Sequence, residues 1–318
     1  MSTDAQRLAQ FGAETDTAGR FVRQTSAFRR TVTTDPGAEF PAAAGRYHLY
    51  VSYACPWASR AIVVRALKGL EDVIGMTVVD PIRDERGWRF GDDTAIRGER
   101  DPLHGWTYLR DGYLQTQPNF DGRVTVPVLW DTVTDTAVNN ESSEIIRMLN
   151  GAFNAFAKHP DIDLYPAALR SEIDALNDRI YSTVNNGVYR AGFATTQAAY
   201  DEAVTALFDT LDWLETRLAK QRYLTGPHLT EADWRLAMTL FRFDPVYVGH
   251  FKCNVRRLAD YPNLWAYTRD LYQQPGVAQT VNIDHIKRHY YGTHPRLNPT
   301  GIVPAGPAIN WQEPHHRS

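Results

Sequence analysis

The hydrophobic period of the chain changes near residue 160. Before it, short apolar runs alternate with helical stripes. Residues 47–51 and 74–79 are apolar runs of strand length. Between them Ile62, Val63, Ala66, Leu67 and Leu70 recur at helical spacing and predict a helix over 57–70, with Gly69 near its end. Residues 124–130 are β-rich but contain Pro127. Proline removes a ladder donor, so this strand belongs at an edge or beside a special turn, and a cis Val126–Pro127 bond is one such turn. Asn139 to Glu144 supply polar cap candidates ahead of Ile145, Ile146, Met148 and Leu149, which marks a helix start. Residues 80–118 are rich in Gly, Asp, Arg and Trp and carry no period, so they read as a long insertion, a kind of segment that is often functional.

Beyond residue 160 the pattern is helical. Leu169, Ile173, Leu176 and Ile180 form one stripe, and Val204, Leu207, Phe208, Leu211, Leu214 and Leu218 a longer one. Thr230 and Asp233 form a capping box ahead of Trp234, Ala237, Leu240 and Phe241. A further helix is predicted over 264–272, stopping before Pro275, and the Gly- and Pro-rich tail from Gly292 is expected to lie extended, with a disordered end at His315-His316. The expected fold is a small α/β domain over 46–155, with its insertion at about 80–118, followed by an all-helical domain over 160–318. Residues 1–45 form an N-terminal extension.

Composition narrows the class. The chain has 318 residues, 43% hydrophobic and 22% charged, which suits a soluble two-domain protein. A net charge of −3 and scattered basic residues weigh against nucleic acid. No apolar run reaches the roughly 18–20 residues needed to span a bilayer. The polar start at 1–10 has no signal-peptide core, so the expectation is a cytoplasmic protein with no membrane partner.

Its cysteines, Cys55 and Cys253, are too few for a disulfide framework. Cys253 reads as a small buried hydrophobe. Cys55 differs: in Tyr53-Ala54-Cys55-Pro56-Trp57-Ala58 it stands at a strand-to-helix junction, where a helix N-terminus favours the thiolate. Pro56 fits the first helical position. Ala58 stands where a dithiol enzyme keeps its resolving cysteine, so a disulfide formed at Cys55 needs an outside thiol to release it. His285 and His289, four residues apart, lack a third ligand of recognisable spacing, and no metal is expected.

The strand–Cys-Pro–helix turn, the Val-Pro strand, the Glu-Ser helix start and the helical second half together resemble a glutathione transferase. Within that superfamily Tyr53–Ala58, the run 122–131, Asn140-Glu141-Ser142, Asn185-Asn186-Gly187-Val188-Tyr189, Phe243-Asp244-Pro245-Val246-Tyr247, His250-Phe251-Lys252-Cys253 and Asn298-Pro299-Thr300-Gly301-Ile302 resemble the glutathionyl-hydroquinone reductases, the Xi class. The resemblance implies a thioredoxin-like domain joined to an all-helical one, and a homodimer. It implies Cys55 as the catalytic thiol and Val126 and Pro127 as the turn that pairs with the cysteinyl backbone of glutathione. Glu141 and Ser142 would hold the γ-glutamyl end, and Trp88 and Arg123 would lie near the glycyl end. Tyr189, Tyr247 and Tyr290 would surround the hydroquinone. Taken singly, each has a plainer reading: helix cap for Glu141 and Ser142, loop anchor for Trp88, solvated turn for Arg123, amphipathic packing for the tyrosines. The chain holds 16 tyrosines, so their pattern alone selects none.

The implied reaction takes glutathione, or another low-molecular-weight thiol, as co-substrate with no tightly bound cofactor, and an aromatic quinol thioether as substrate. Two competing readings stay open: an omega-like thiol transferase or dehydroascorbate reductase, which shares Cys55 but does not need the tyrosines, and a non-catalytic binding module with an unreactive thiol.

Overall fold

The computed structural model describes residues 14–94 and 97–317. The polar start at 1–10 lies outside the described residues. The chain divides into two compact units. One holds residues 24–163 and 280–293; the other holds 14–23, 164–279 and the tail from 294.

The first unit is built on a sheet of β1 (Tyr47–Val51), β2 (Ile74–Val78), β3 (Val128–Asp131) and β4 (Thr136–Asn139), in the order β2-β1-β3-β4. β1 pairs parallel with β2 and antiparallel with β3, and β3 pairs antiparallel with β4. All residues of β1 and β3 are buried, which explains why they read as continuous apolar runs rather than alternating ones. The predicted strand over 124–130 begins only after Pro127, because Val124 to Pro127 leave the ladder in a turn. β4 has no strand signal of its own length, and it forms by hairpin return around Asp135, whose φ is +56°. The N-terminal extension packs on β4: Arg30 N–H donates to Val138 O at 3.0 Å, and Phe28 and Val32 are buried. This covers an otherwise open edge.

Helix α1 (Pro56–Leu67) is shorter at its C-terminus than its stripe suggests. Gly69 takes φ +63°, its N–H donates to Ala66 O at 3.0 Å, and the Leu70 N–H donates to Arg65 O at 2.9 Å. This is a Schellman closure, which turns the chain out of the helix while keeping Leu70 buried. The insertion contains α2 (Arg110–Thr116), too short to show a period, anchored by buried Leu109 and Tyr113. Helix α3 (Ser142–Asn150) buries Ile145, Ile146, Met148 and Leu149 as expected.

The second unit is helical: α4 (Arg170–Ile180), α5 (Gly187–Gly192), α6 (Gln197–Leu218), α7 (Glu231–Arg242) and α8 (Pro262–Tyr272). The long stripe of α6 is buried throughout, and the Thr230–Asp233 capping box forms. Leu169 lies in a 3-10 turn ahead of α4 and is only half-buried. π-helical turns at Tyr181–Asn185 and Phe243–Tyr247 precede α5 and follow α7. The tail from 294 is irregular, but its end is held rather than disordered. Trp311 packs on Tyr272 at 4.9 Å, and the Arg317 guanidinium donates to the carbonyls of Gln221 (2.8 Å) and Arg222 (2.7 Å). Helix α9 (Ile283–Thr293), which carries Tyr290, belongs to the first unit. Among the described residues, no helix is long and apolar enough to cross a membrane.

Candidate active site

β1 delivers the chain to Ser52, where a tight turn begins. Ser52 O accepts from the Cys55 N–H, and Ser52 Oγ from the Ala54 N–H, each at 3.2 Å. Cys55 is then the extended residue before α1 (φ −79°, ψ 120°), with Pro56 opening the helix. Its thiol is half-buried, and Sγ lies 3.5 Å from the Val126 carbonyl. The Cys55 carbonyl is capped by Ser59, through both N–H and Oγ at 3.0 Å. Ala58 is fully buried, so the fourth position is sealed and apolar. Cys253 is also sealed: burial pushes its thiol well above the ordinary range.

The Val126–Pro127 bond is cis. The turn ahead of it is held by a buried network. The Tyr113 hydroxyl donates to Thr125 O (2.8 Å) and accepts from Thr125 N–H (3.1 Å), while Asn140 Nδ2 donates to both Tyr113 Oη (3.0 Å) and Thr125 Oγ1 (3.1 Å). Asn140 directly precedes Glu141, so the same network ties the proline turn to the start of α3.

Glu141 is the extended residue before α3, and its carboxylate accepts from Ser143 N–H (3.1 Å), Ser143 Oγ (2.8 Å) and Ser26 Oγ (2.9 Å). Burial pushes its pKa up, but the Ser143 and Ser26 hydrogen bonds and the nearby Arg60 charge outweigh burial and hold it below the usual glutamate range. Ser142 is buried, and its Oγ accepts from Arg60 Nη1 at 3.3 Å; the Arg60 guanidinium also lies 4.5 Å from the Trp57 ring centroid. The Cys55–Val126 contact and the Arg60–Ser142 bond therefore gather the thiol, the proline turn and the Glu141–Ser142 helix start into one cradle.

Trp88 is buried in the insertion, with its indole stacked on His289 (centroids 4.9 Å, 17° between planes) and the Arg83 guanidinium 4.7 Å from its ring. Arg123 is half-buried on the segment that leads to Val126. His289 Nδ1–H donates to Pro81 O at 2.7 Å, and His285 meets Tyr53 edge-on at 5.9 Å. Among the described residues no group of three or more His, Cys, Asp or Glu is placed to hold a metal ion.

The three tyrosines divide between the units. Tyr290 is buried on α9 of the first. Tyr189 on α5 and Tyr247 at the end of a π turn stand together in the second, 6.2 Å apart, with Phe251 stacked on Tyr247 (5.4 Å, 8°). Sequence reasoning missed the residues that support the cradle. Arg60 carries a charge on the buried face of α1, a signal visible only once that face is known. Ser26 sits 115 residues from Glu141, and no local pattern joins them.

Comparison with known proteins places these features in a family. The family model for the glutathione S-transferase N-terminal domain matches residues 54–152, and that for the C-terminal domain matches residues 197–270. The chain is 54% identical to the glutathionyl-hydroquinone reductase YqjG of Escherichia coli, over 95% of this chain and 93% of the relative. It is also 54% identical to the glutathionyl-hydroquinone reductase PcpF of Sphingobium chlorophenolicum, over 91% of this chain and 90% of that one. The glutathione-bound structure of YqjG superposes with a TM-score of 0.88, covering 92% of this chain and 96% of that one. The Xi transferase of Phanerochaete chrysosporium does so with a TM-score of 0.90 at 52% identity, covering 94% and 96%. The chain therefore belongs to the glutathione S-transferase family and, within it, to the group that holds the Xi-class transferases and the glutathionyl-hydroquinone reductases.

Proposed function

We propose that this protein reduces S-glutathionyl-hydroquinones to hydroquinones, with Cys55 as nucleophile and glutathione as co-substrate. The observation that carries the reading is a half-exposed thiol before α1, 3.5 Å from the Val126 carbonyl, with Ala58 rather than cysteine at the fourth position. The names of YqjG and PcpF and the glutathione bound to YqjG support the substrate class.

In this reading the Cys55 thiolate attacks the sulfur of the aryl thioether. An S–S bond forms, the ring C–S bond breaks, and the ring carbon takes a proton from a tyrosine or through one, giving hydroquinone. A second glutathione thiolate attacks the mixed disulfide at the glutathione sulfur. This releases oxidised glutathione and restores Cys55. The two electrons that reduce the ring come from the two thiols that end as a disulfide. Val126 and Pro127 receive the cysteinyl backbone. The charged form of Glu141 suits the γ-glutamyl ammonium, and Ser142 with the α3 N-terminus suits its carboxylate. Trp88 and Arg123 take the glycyl end, and Tyr189, Tyr247 and Tyr290 bind and protonate the quinol. The same reading makes the protein a cytoplasmic homodimer with no tightly bound cofactor. The family supports the dimer, and the two unpaired cysteines fit a reducing compartment.

Turnover of a glutathionyl-hydroquinone by Cys55→Ala tests it. A fall of about a thousandfold or more is expected, because the covalent route is gone. Near wild-type turnover by that variant rules the mechanism out. Tyr189→Phe and Tyr247→Phe should reduce quinol turnover and spare small disulfides; unchanged turnover on both substrates would favour the omega-like reading.

A further inference from the structure

We infer that Arg23 is a positioning residue for the quinol chemistry, acting through Tyr189. The inference rests on the proposed function above. Arg23 ends the short segment that joins the second unit from the N-terminal side, and its guanidinium lies 4.8 Å from the Tyr189 ring centroid and 5.3 Å from that of Phe21. Its Nε–H donates to Asn186 Oδ1 at 2.8 Å, and Asn186 lies three residues before Tyr189 at the entry to α5. The cation is therefore held by the Asn186 side chain, on the segment that carries the ring, and lies against the ring itself.

A fixed positive charge at that distance favours the phenolate over the phenol, which makes the phenol a stronger hydrogen-bond donor and a better acid. That is the property required of a group that protonates a departing ring carbon or holds a quinol oxygen. Arg23 also orients the ring, since Phe21 packs on it at 6.4 Å from the same segment. Tyr247 also faces Tyr189, 6.2 Å away. Arg190, next along α5, is engaged by Glu202 at 2.7 Å, and Glu202 also takes Arg20. His250 and His294 pair at 3.0 Å and touch Phe251.

The test combines a titration with kinetics, using Arg23→Met, Arg23→Lys and Tyr189→Phe in the full-length protein. Tyrosinate absorbance, read as wild type minus Tyr189→Phe, isolates Tyr189. Its pKa should rise by about one unit in Arg23→Met and by less in Arg23→Lys, which keeps the charge but loses the fork. With a glutathionyl-hydroquinone, kcat should fall about tenfold in Arg23→Met and recover in part in Arg23→Lys. The alkaline limb of the pH profile should move up with the phenol, and the KM for glutathione should stay unchanged. An unmoved Tyr189 titration in a folded Arg23→Met protein overturns the inference. A moved titration with no quinol turnover in wild type instead overturns the proposed function and leaves the Arg23–Tyr189 coupling standing.

Discussion

Cys55 and Glu141 occupy equivalent places, each the extended residue immediately before a helix, and they use that place in opposite ways. Cys55 is followed by proline and offers its side chain outward, toward the Val126 carbonyl. Glu141 turns back to accept the Ser143 N–H and so keeps its own charge. Because the folded pKa of Glu141 lies below the usual value, its carboxylate stabilises the fold above the ordinary glutamate range. That contribution is lost as pH falls through the lowered folded value. Glu141→Gln should cost about 1–2 kcal/mol near neutral pH, and the gap from wild type should narrow in urea melts as the pH is lowered below the ordinary glutamate range. It should also raise the KM for glutathione about tenfold, as expected for one lost charge-assisted contact. The Cys55–Pro56–Ala58 arrangement was legible in the sequence because its physics is local: a helix start, a proline that fits it, and a missing thiol. The hydrogen bonds that tune Glu141 were not, since Ser26 and Arg60 approach it from distant parts of the chain.

At the scale of elements, the stripes of α6 and α7 read correctly because a buried helix face repeats in sequence. The boundaries that differ have identifiable causes. α1 stops where Gly69 permits a Schellman closure, and β3 starts late because Val124 to Pro127 form a turn. The π turns left no periodic signal, yet Tyr247 ends one of them, and the other leads into the helix of Tyr189. π turns are frequent at functional sites. The placement of these tyrosines depends on Gly192 at the end of α5. A Cβ there would stand 2.2 Å from ring atoms of Phe251, the ring stacked on Tyr247. Gly192→Ala should therefore destabilise the fold by about 1–3 kcal/mol in urea. It should also raise the KM for the quinol thioether more than that for glutathione, because the displaced ring is stacked on Tyr247 and packs on Tyr189.

For the whole molecule, the chain is not cut once into two units. Residues 280–293 rejoin the sheet-bearing unit after the helical one, bringing His289 against Trp88, and the tail from 294 returns to the helices. Periodicity does not report such crossings, since α9 has the same pattern whichever unit it joins. The tail's composition suggested a loose end, whereas single anchors, Trp311 and Arg317, hold it. Deleting residues 305–318 should lower stability by about 2–4 kcal/mol in urea, through the lost aromatic packing on Phe241 and Tyr272 and the bare carbonyls of Gln221 and Arg222. The α/β-then-helical order, by contrast, was legible from the change of period alone. In the proposed reaction Cys55 takes glutathione from the substrate and holds it covalently. The decisive experiment mixes the protein with a glutathionyl-hydroquinone in the absence of free thiol and maps the product by mass spectrometry. One glutathione should be found in disulfide linkage on Cys55, formed together with one equivalent of hydroquinone, and added glutathione should then remove it as oxidised glutathione. An unmodified Cys55, or an adduct confined to Cys253, would contradict that reaction.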